Sequence, residues 1–149
     1  QAFGIGHNAY CRILEEEKEI IIKDENGQPF KFISAVCGNN YTLYLVKSEK
    51  NIEEFQLIFA SDNNPHMYVN IIGRTPISLF GGNKAAAVID TEGNIIVLND
   101  IMLKNKDLVV EPHKLPSNDI PVDVAFYDDY ILVVDSNGNL FQSRIGQRF

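Results

Sequence analysis

The chain has 149 residues, of which 45% are hydrophobic and 22% charged, fractions typical of one soluble globular domain. Its net charge of −7 disfavours nucleic acid and anionic membranes as partners, because both attract clustered Lys and Arg. The two cysteines, Cys11 and Cys37, are too few for a disulfide scaffold. They predict reduced thiols in an intracellular protein, cytoplasmic or nuclear, with Cys37 as a small core residue.

The first 29 residues mix a glycine bend, a charged run and a turn. Phe3–Asn8 contains two glycines and reads as a bend after a short apolar stub. Tyr10–Glu19 has a helical option, but its charged half is more typical of a solvated strand end or loop. Ile20–Ile22 is β-branched and predicts a short strand. Asp24–Gly27 follows it with residues that favour a turn, so the strand is expected to end there.

Residues 30–75 contain four apolar runs separated by polar segments. They are rich in aromatic and β-branched residues and therefore predict strands. The predicted strands are Phe32–Val36, Tyr41–Val46, Phe55–Ala60 and Met67–Ile72. Asp62–Pro65 is a strong loop signal.

Residues 76–120 and 121–149 repeat this organisation. The second unit predicts strands at Ile77–Phe80, Ala85–Ile89 and Ile95–Leu98, with a fourth around Leu108–Val110, and the third predicts strands at Val122–Phe126, Tyr130–Val134 and Leu140–Gln142. Pro76 is expected in a turn, and Pro112, Pro116 and Pro121 in a linker. Gly93 and Gly138 are expected at positive φ in hairpin turns.

The three units align at a nearly constant spacing. Ile33–Gly38 matches Ile77–Gly82 at 44 residues, while Pro76–Asn83 and Asp90–Ile96 match Pro121–Asp128 and Asp135–Phe141 at 45. Such a period, with four short strands per unit, is typical of β-propeller blades. We therefore predict an all-β partial propeller, an open arc of about three antiparallel blades. Its parts are 1–29 (the end of a preceding blade), 30–75, 76–120 and 121–149 (the start of a blade).

The units resemble the regulator-of-chromosome-condensation repeat. The resemblance lies in Ile33–Leu45 with Leu57–Asn63, and in Val124–Phe141, while Phe3–Asn8 is similar to the close of a preceding repeat. The chain departs from the family pattern because it has no Trp. Phe59-Ala60 and Val97-Leu98 stand at the usual Trp-Gly, and Tyr41, Ala85 and Tyr130 at the common His.

The resemblance implies one of two functions, and the departures from the family pattern favour protein binding. The family forms seven-bladed propellers, so further blades of the same chain are expected. Many members are protein-binding modules, and some are exchange factors for a small GTPase. We therefore expect a protein-interaction scaffold that binds a protein partner through propeller-rim loops, with guanine-nucleotide exchange on a small GTPase as the alternative. No enzyme activity, catalytic residue, cofactor or metal is expected.

Two motifs compete weakly with this interpretation. Gly4–Ala9 fits G-x-G-x-x-A, and Asp24 follows at a dinucleotide-like spacing, but no full strand precedes Gly4 and no long amphipathic helix follows. Asp135–Asn139 resembles the opening of a calcium loop, yet Leu140 and Gly146 occupy the places that need Gly and Glu. We therefore favour a propeller bend for Gly4–Ala9 and a hairpin turn for Asp135–Asn139.

The histidines and a glycosylation sequon complete the candidates. His7, His66 and His113 lie in different units beside loop residues, so we expect surface or loop histidines rather than a metal site or catalytic triad. Asn40-Tyr-Thr42 is an N-glycosylation sequon that we expect to be unused without a secretory route.

Overall fold

The computed structural model describes residues 2–4, 18–39, 41–49, 54–60, 66–99, 102 and 105–149. In these ranges the chain is all-β and divides into an N-terminal hairpin and three larger sheets. The hairpin pairs β1 (Ala2–Gly4) with β2 (Lys18–Ile20). The first sheet contains β3 (Lys31–Cys37), β4 (Thr42–Lys47), β5 (Phe55–Ala60) and β6 (Met67–Ile71).

The second and third sheets repeat the antiparallel pattern of the first. The second contains β7 (Pro76–Gly81), β8 (Ala85–Asp90) and β9 (Ile95–Asn99). After it comes β10 (Asp107–Leu108), and the third sheet contains β11 (Pro121–Tyr127), β12 (Tyr130–Asp135) and β13 (Leu140–Arg144). The strands predicted at Phe32–Val36, Ile77–Phe80 and Val122–Phe126 are confirmed as β3, β7 and β11, and each pairs antiparallel with the strand that follows it.

The predicted fourth strand of the second unit is wrong in its partner and its bounds. β10 pairs in parallel with β6 of the first sheet, through Asp107 with Asn70 and Leu108 with Ile71. Farther along the chain, His113 forms a single antiparallel bridge with Ile95 of the second sheet. Residues 105–115 therefore cross between the outer edges of two sheets, because the buried Leu108 packs into the core that those sheets share.

Each larger sheet carries a β-bulge at the same place. The register shifts between Phe32 and Ser34, between Pro76 and Ser78, and between Pro121 and Asp123. The extra residue in each first strand is thus Ile33, Ile77 or Val122. The bulge changes which face the following side chains occupy. In β3, Phe32 packs into the core on one side of the sheet and Val36 into the core on the other.

Two sequence-based expectations fail at strand ends. Pro76 and Pro121 are the first residues of β7 and β11 rather than turn and linker residues. A strand tolerates proline at its first position, where the missing N–H costs no ladder hydrogen bond. Cys37 is exposed at the end of β3, not a core residue, because the exposed and half-buried side chains alternate along that strand.

Three hydrophobic cores lie between the layers of the fold. The first sheet packs one face on Ile22 and Phe30 of the preceding segment, and the other face on the second sheet. The second sheet packs its remaining face on Val124, Ile131 and Val133 of the third. Because both faces of the first two sheets are covered, β8 is buried along its whole length, whereas β12 alternates.

The same face of each sheet packs on the sheet that follows. Leu43 of the first sheet contributes to the core shared with the second, and its counterpart Ala87 contributes to the core shared with the third. The next counterpart, Leu132, lies on the opposite face of β12 from Ile131 and Val133 and is only half-buried. Among the described residues, no further sheet packs on the face of the third sheet that corresponds to the packing face of the other two.

Glycine permits the close approach of β3, β7 and β11. A Cβ atom added to Gly81 would lie 2.5 Å from Cβ of Val36, and one added to Gly82 would lie 2.6 Å from Cβ of Phe126. The second sheet is therefore held between the first and third with no room for a side chain at either glycine. Tyr41 strengthens the first junction, because its single hydroxyl proton is shared between the carbonyl oxygens of Gly82 and Ala85, which lie 2.6 and 2.9 Å from the hydroxyl oxygen.

Gly81→Ala should destabilise the protein by about 3 kcal/mol in urea unfolding, because the new methyl group must displace Val36 in a packed junction. Gly73→Ala is the control. Gly73 has a φ of 73° but open space around its Cβ position, so only backbone strain of about 1 kcal/mol is expected there. Equal losses in the two variants would contradict the tight junction.

Candidate interaction surface

The hairpin turns at one end of the sheets share a repeated carboxylate motif. In β8–β9, Oδ1 of Asp90 accepts hydrogen bonds from the backbone N–H groups of Glu92 and Asn94, and Gly93 has a φ of 78°. In β12–β13, Oδ1 of Asp135 accepts from Asn137 and Asn139 in the same way.

Gly138 has a φ of 83°, so the predicted positive φ is confirmed at both hairpin glycines. A third copy of the motif precedes the first sheet, where Oδ1 of Asp24 accepts from Asn26 and Gln28, and Gly27 has a φ of 76°. The aspartate in each copy replaces water as the acceptor for the turn amides.

The turns and connections at this end are joined to one another. Arg74, in the β6–β7 connection, contacts Oδ2 of Asp90 at 3.3 Å and Oε2 of Glu92 at 2.8 Å. The backbone N–H of Thr91 donates to the carbonyl oxygen of Thr75 at 3.1 Å. We call this end of the sheets, formed by residues 24–27, 72–75, 91–94 and 136–139, the turn rim.

The dinucleotide motif has no strand-to-helix turn in the residues that can be described. Gly4 lies in β1, paired with Lys18 of β2. Gly6 and Ala9 lie outside the described residues. Asp24 uses its carboxylate in the turn motif rather than at the end of a second parallel strand.

The histidines occupy separate places. His7 lies outside the described residues, His66 precedes β6, and His113 forms the backbone bridge with Ile95. Burial lowers the pKa of His66, which disfavours its charged form. Across the described ranges, no three His, Cys, Asp or Glu side chains come together as a metal site.

The calcium-loop and sequon motifs have structural roles where they are described. Asp135 is buried, and its Oδ2 also accepts hydrogen bonds from the side chains of Asn139 and Ser117. Both oxygens of this carboxylate therefore already accept hydrogen bonds within the protein. In the sequon, Asn40 lies outside the described residues. Thr42 is buried in β4 with its hydroxyl 3.7 Å from Sγ of Cys37.

An open cleft of about 550 Å³ lies at the turn rim, where β5 begins and β6 ends. Its lining includes the Asp24–Asn26 turn, the Phe30 and Tyr68 rings, Glu54, Arg74 and Lys106. Sequence reasoning did not identify this cleft, because its walls come from four segments far apart in the chain. The Asp24-Glu25 pair next to turn residues was the one local signal of an acidic wall.

Among the described residues, no helix has the length and hydropathy needed to cross a bilayer.

Tyr41→Phe should lower the free energy of unfolding by about 1–3 kcal/mol, because the Gly82 and Ala85 carbonyl oxygens lose the hydroxyl donor at the sheet junction, although Ala85 keeps its hydrogen bond from the backbone N–H of Gly82. Burial raises the pKa of Tyr41 to about 12, so the hydroxyl remains protonated in the folded state. Its contribution is complete below the unfolded pKa of about 10 and declines above it. Tyr130→Phe, at the exposed counterpart, should have little effect in the same denaturant titration.

Asp135→Asn should reduce the slope with which the free energy of unfolding falls as the pH is lowered. Burial alone would raise the pKa of the Asp135 carboxyl, but the hydrogen bonds that it accepts lower it by more, so the net pKa is below the ordinary value. Its stabilisation is therefore present above the unfolded pKa and lost as pH falls through the folded pKa. Urea unfolding from pH 2 to 7 measures this, with exposed Asp129→Asn as the control; identical slopes would refute the assignment.

Comparison with known proteins gives a fold likeness. No protein-family model matches the chain, and no curated protein sequence matches it. Among solved structures, the chain is similar to the crystal structure of human WBSCR16, with a TM-score of 0.64 over 95% of this chain at 12% sequence identity. The chain spans 42% of that structure's length. At this identity the likeness concerns the fold alone.

Proposed function

We propose that the three sheets are successive blades of a partial β-propeller of the regulator-of-chromosome-condensation type, and that the chain is a protein-interaction scaffold. The repeated use of one face for packing, at spacings of 44 and 45 residues, supports the architecture. The fold likeness to a chain more than twice as long is compatible with it. The proposal of this particular family rests on the resemblance of the sequence repeats.

The arrangement of the first strands supports a propeller axis. β3 contacts β7, and β7 contacts β11, while the outer edges of the first two sheets are bridged by residues 105–115. Under this proposal β3, β7 and β11 face the centre. The open face of the third sheet, with Tyr127, Tyr130 and Leu140 exposed, would receive a further blade.

The bulge residues carry the proposal of protein binding. Ile33, Ile77 and Val122 are all β-branched, and they remain 42%, 38% and 52% exposed. They stand at equivalent positions on three strands that lie next to one another, at the end of the sheets that bears the turn rim. Three apolar side chains presented by the same structural device are better suited to contact an apolar partner surface than to face water. We call them the bulge row.

Replacing the bulge row tests this function. The variant Ile33→Thr/Ile77→Thr/Val122→Thr keeps β-branched shape but replaces an apolar group with a hydroxyl at each position. Proteins retained by the immobilised chain would be identified by mass spectrometry, purified, and titrated against each variant by calorimetry. We expect the triple variant to weaken binding at least tenfold, whereas Val109→Thr, at a site 85% exposed outside the row, should not.

Each outcome is decisive for one part of the proposal. Unchanged affinity of the triple variant would contradict the bulge row, and the absence of any protein that binds in the titration would contradict the scaffold function. The same purified chain should not accelerate nucleotide release from small GTPases. Stimulated release would favour the exchange-factor alternative instead.

A further inference from the structure

The cleft at the turn rim has an unbalanced charge. Asp24, Glu25 and Glu54 contribute three carboxylates to its walls, and Arg74 and Lys106 contribute two cations. The guanidinium of Arg74 already pairs with Asp90 and Glu92, neither of which lines the cleft. The charge left to act on a ligand is therefore negative, in keeping with the −7 of the whole chain.

The carboxylates at the turn retain capacity to accept hydrogen bonds. Both turn amides donate to Oδ1 of Asp24, so Oδ2 takes no part in the motif. Among the ion pairs formed within the described ranges, none involves Glu25. Glu25 is exposed and Asp24 is half-buried, and both line the cleft. A donor with two or more N–H groups could contact both.

An aromatic pair forms the adjoining wall. The Phe30 and Tyr68 rings meet edge to face, with centroids 6.3 Å apart. Phe30 is buried and fixes the position of Tyr68, which is 38% exposed. The Tyr68 hydroxyl donates to the carbonyl oxygen of Lys23 at 3.3 Å, which anchors the ring against the segment that carries the acidic turn.

The negative charges of the acidic turn act on the Tyr68 ring, which lies beside it. Burial raises the pKa of Tyr68, and the negative charges of Glu25 and Asp24 raise it further. An acidic field therefore reaches the exposed part of the aromatic wall.

We propose that this cleft binds a basic side chain, Arg or Lys, presented by the protein partner. The cationic head would contact Asp24 and Glu25, and the aliphatic stem would lie against Tyr68. The inference rests on the proposed function, since it names the chemistry of a partner for the same end of the sheets.

The cleft and the bulge row are continuous along the chain. Pro76 lines the cleft, and the next residue, Ile77, is the central member of the row. A partner segment that presents a basic residue beside an apolar one would contact both surfaces. Lys106 and Asn70 also line the cleft and offer N–H donors for the backbone carbonyl groups of the partner segment, although the Asn70 side-chain amide already donates one hydrogen bond to Asp107.

Peptide titration followed by amide NMR shifts tests the proposal. The probe is acetyl-Gly-Gly-Arg-Gly-Gly-amide, and the matched control peptide carries citrulline, which has nearly the same shape without the charge. We expect saturable shifts centred on Glu25 and Tyr68 with the arginine peptide, and at least fivefold weaker binding of the citrulline peptide. Raising the salt concentration should weaken the arginine complex.

Matched variants assign the contact. Glu25→Gln should lower the affinity for the arginine peptide at least threefold. Asp129→Asn makes an equal charge change at an exposed position of the third sheet and should leave that affinity unchanged. Equal binding of both peptides, equal effects of both variants, or shifts away from the cleft would overturn the proposal. If these occur while the bulge row still governs partner affinity, the scaffold function stands and the basic-side-chain site falls.

Discussion

The close approach of β3, β7 and β11 at Gly81 and Gly82 is the constraint on which the rest of the structure depends. Val36 on one side and Phe126 on the other occupy the space that side chains at these glycines would need. This contact sets the separation between neighbouring sheets at their first strands. The run Ala85–Ala87 fits the same separation, because small residues on alternate faces of β8 allow both neighbouring sheets to approach.

The turn rim obtains its order from hydrogen bonds rather than from apolar packing. Each aspartate of the repeated motif satisfies amides that a tight turn leaves without backbone partners. Arg74 then links one of these turns to the connection between the first and second sheets. The two surfaces proposed for binding are therefore supported by a rim whose turns are internally satisfied, which favours a preformed contact surface.

The β-bulges link the packing of the first strands to the proposed binding surface. One extra residue in each first strand allows the strand to serve a different core at each end, as Phe32 and Val36 show in β3. The same extra residue is left with an exposed apolar side chain. The bulges that packing requires thus also produce the regular row of exposed side chains that we propose as a binding surface, beside a cleft with charged groups and an aromatic wall.

The period and the local strand pattern were determined by the sequence alone. Spacings of 44 and 45 residues, β-branched runs and the glycines at positions 93 and 138 predicted the all-β class, most strand positions and the hairpin turns, because these depend on neighbours in sequence. Tertiary structure decided the partner of β10 and the exposure of Cys37. Strand pairing across sheets depends on which buried surface Leu108 can reach. The cleft also required the fold, since only packing brings Glu25, Tyr68 and Lys106 to one place.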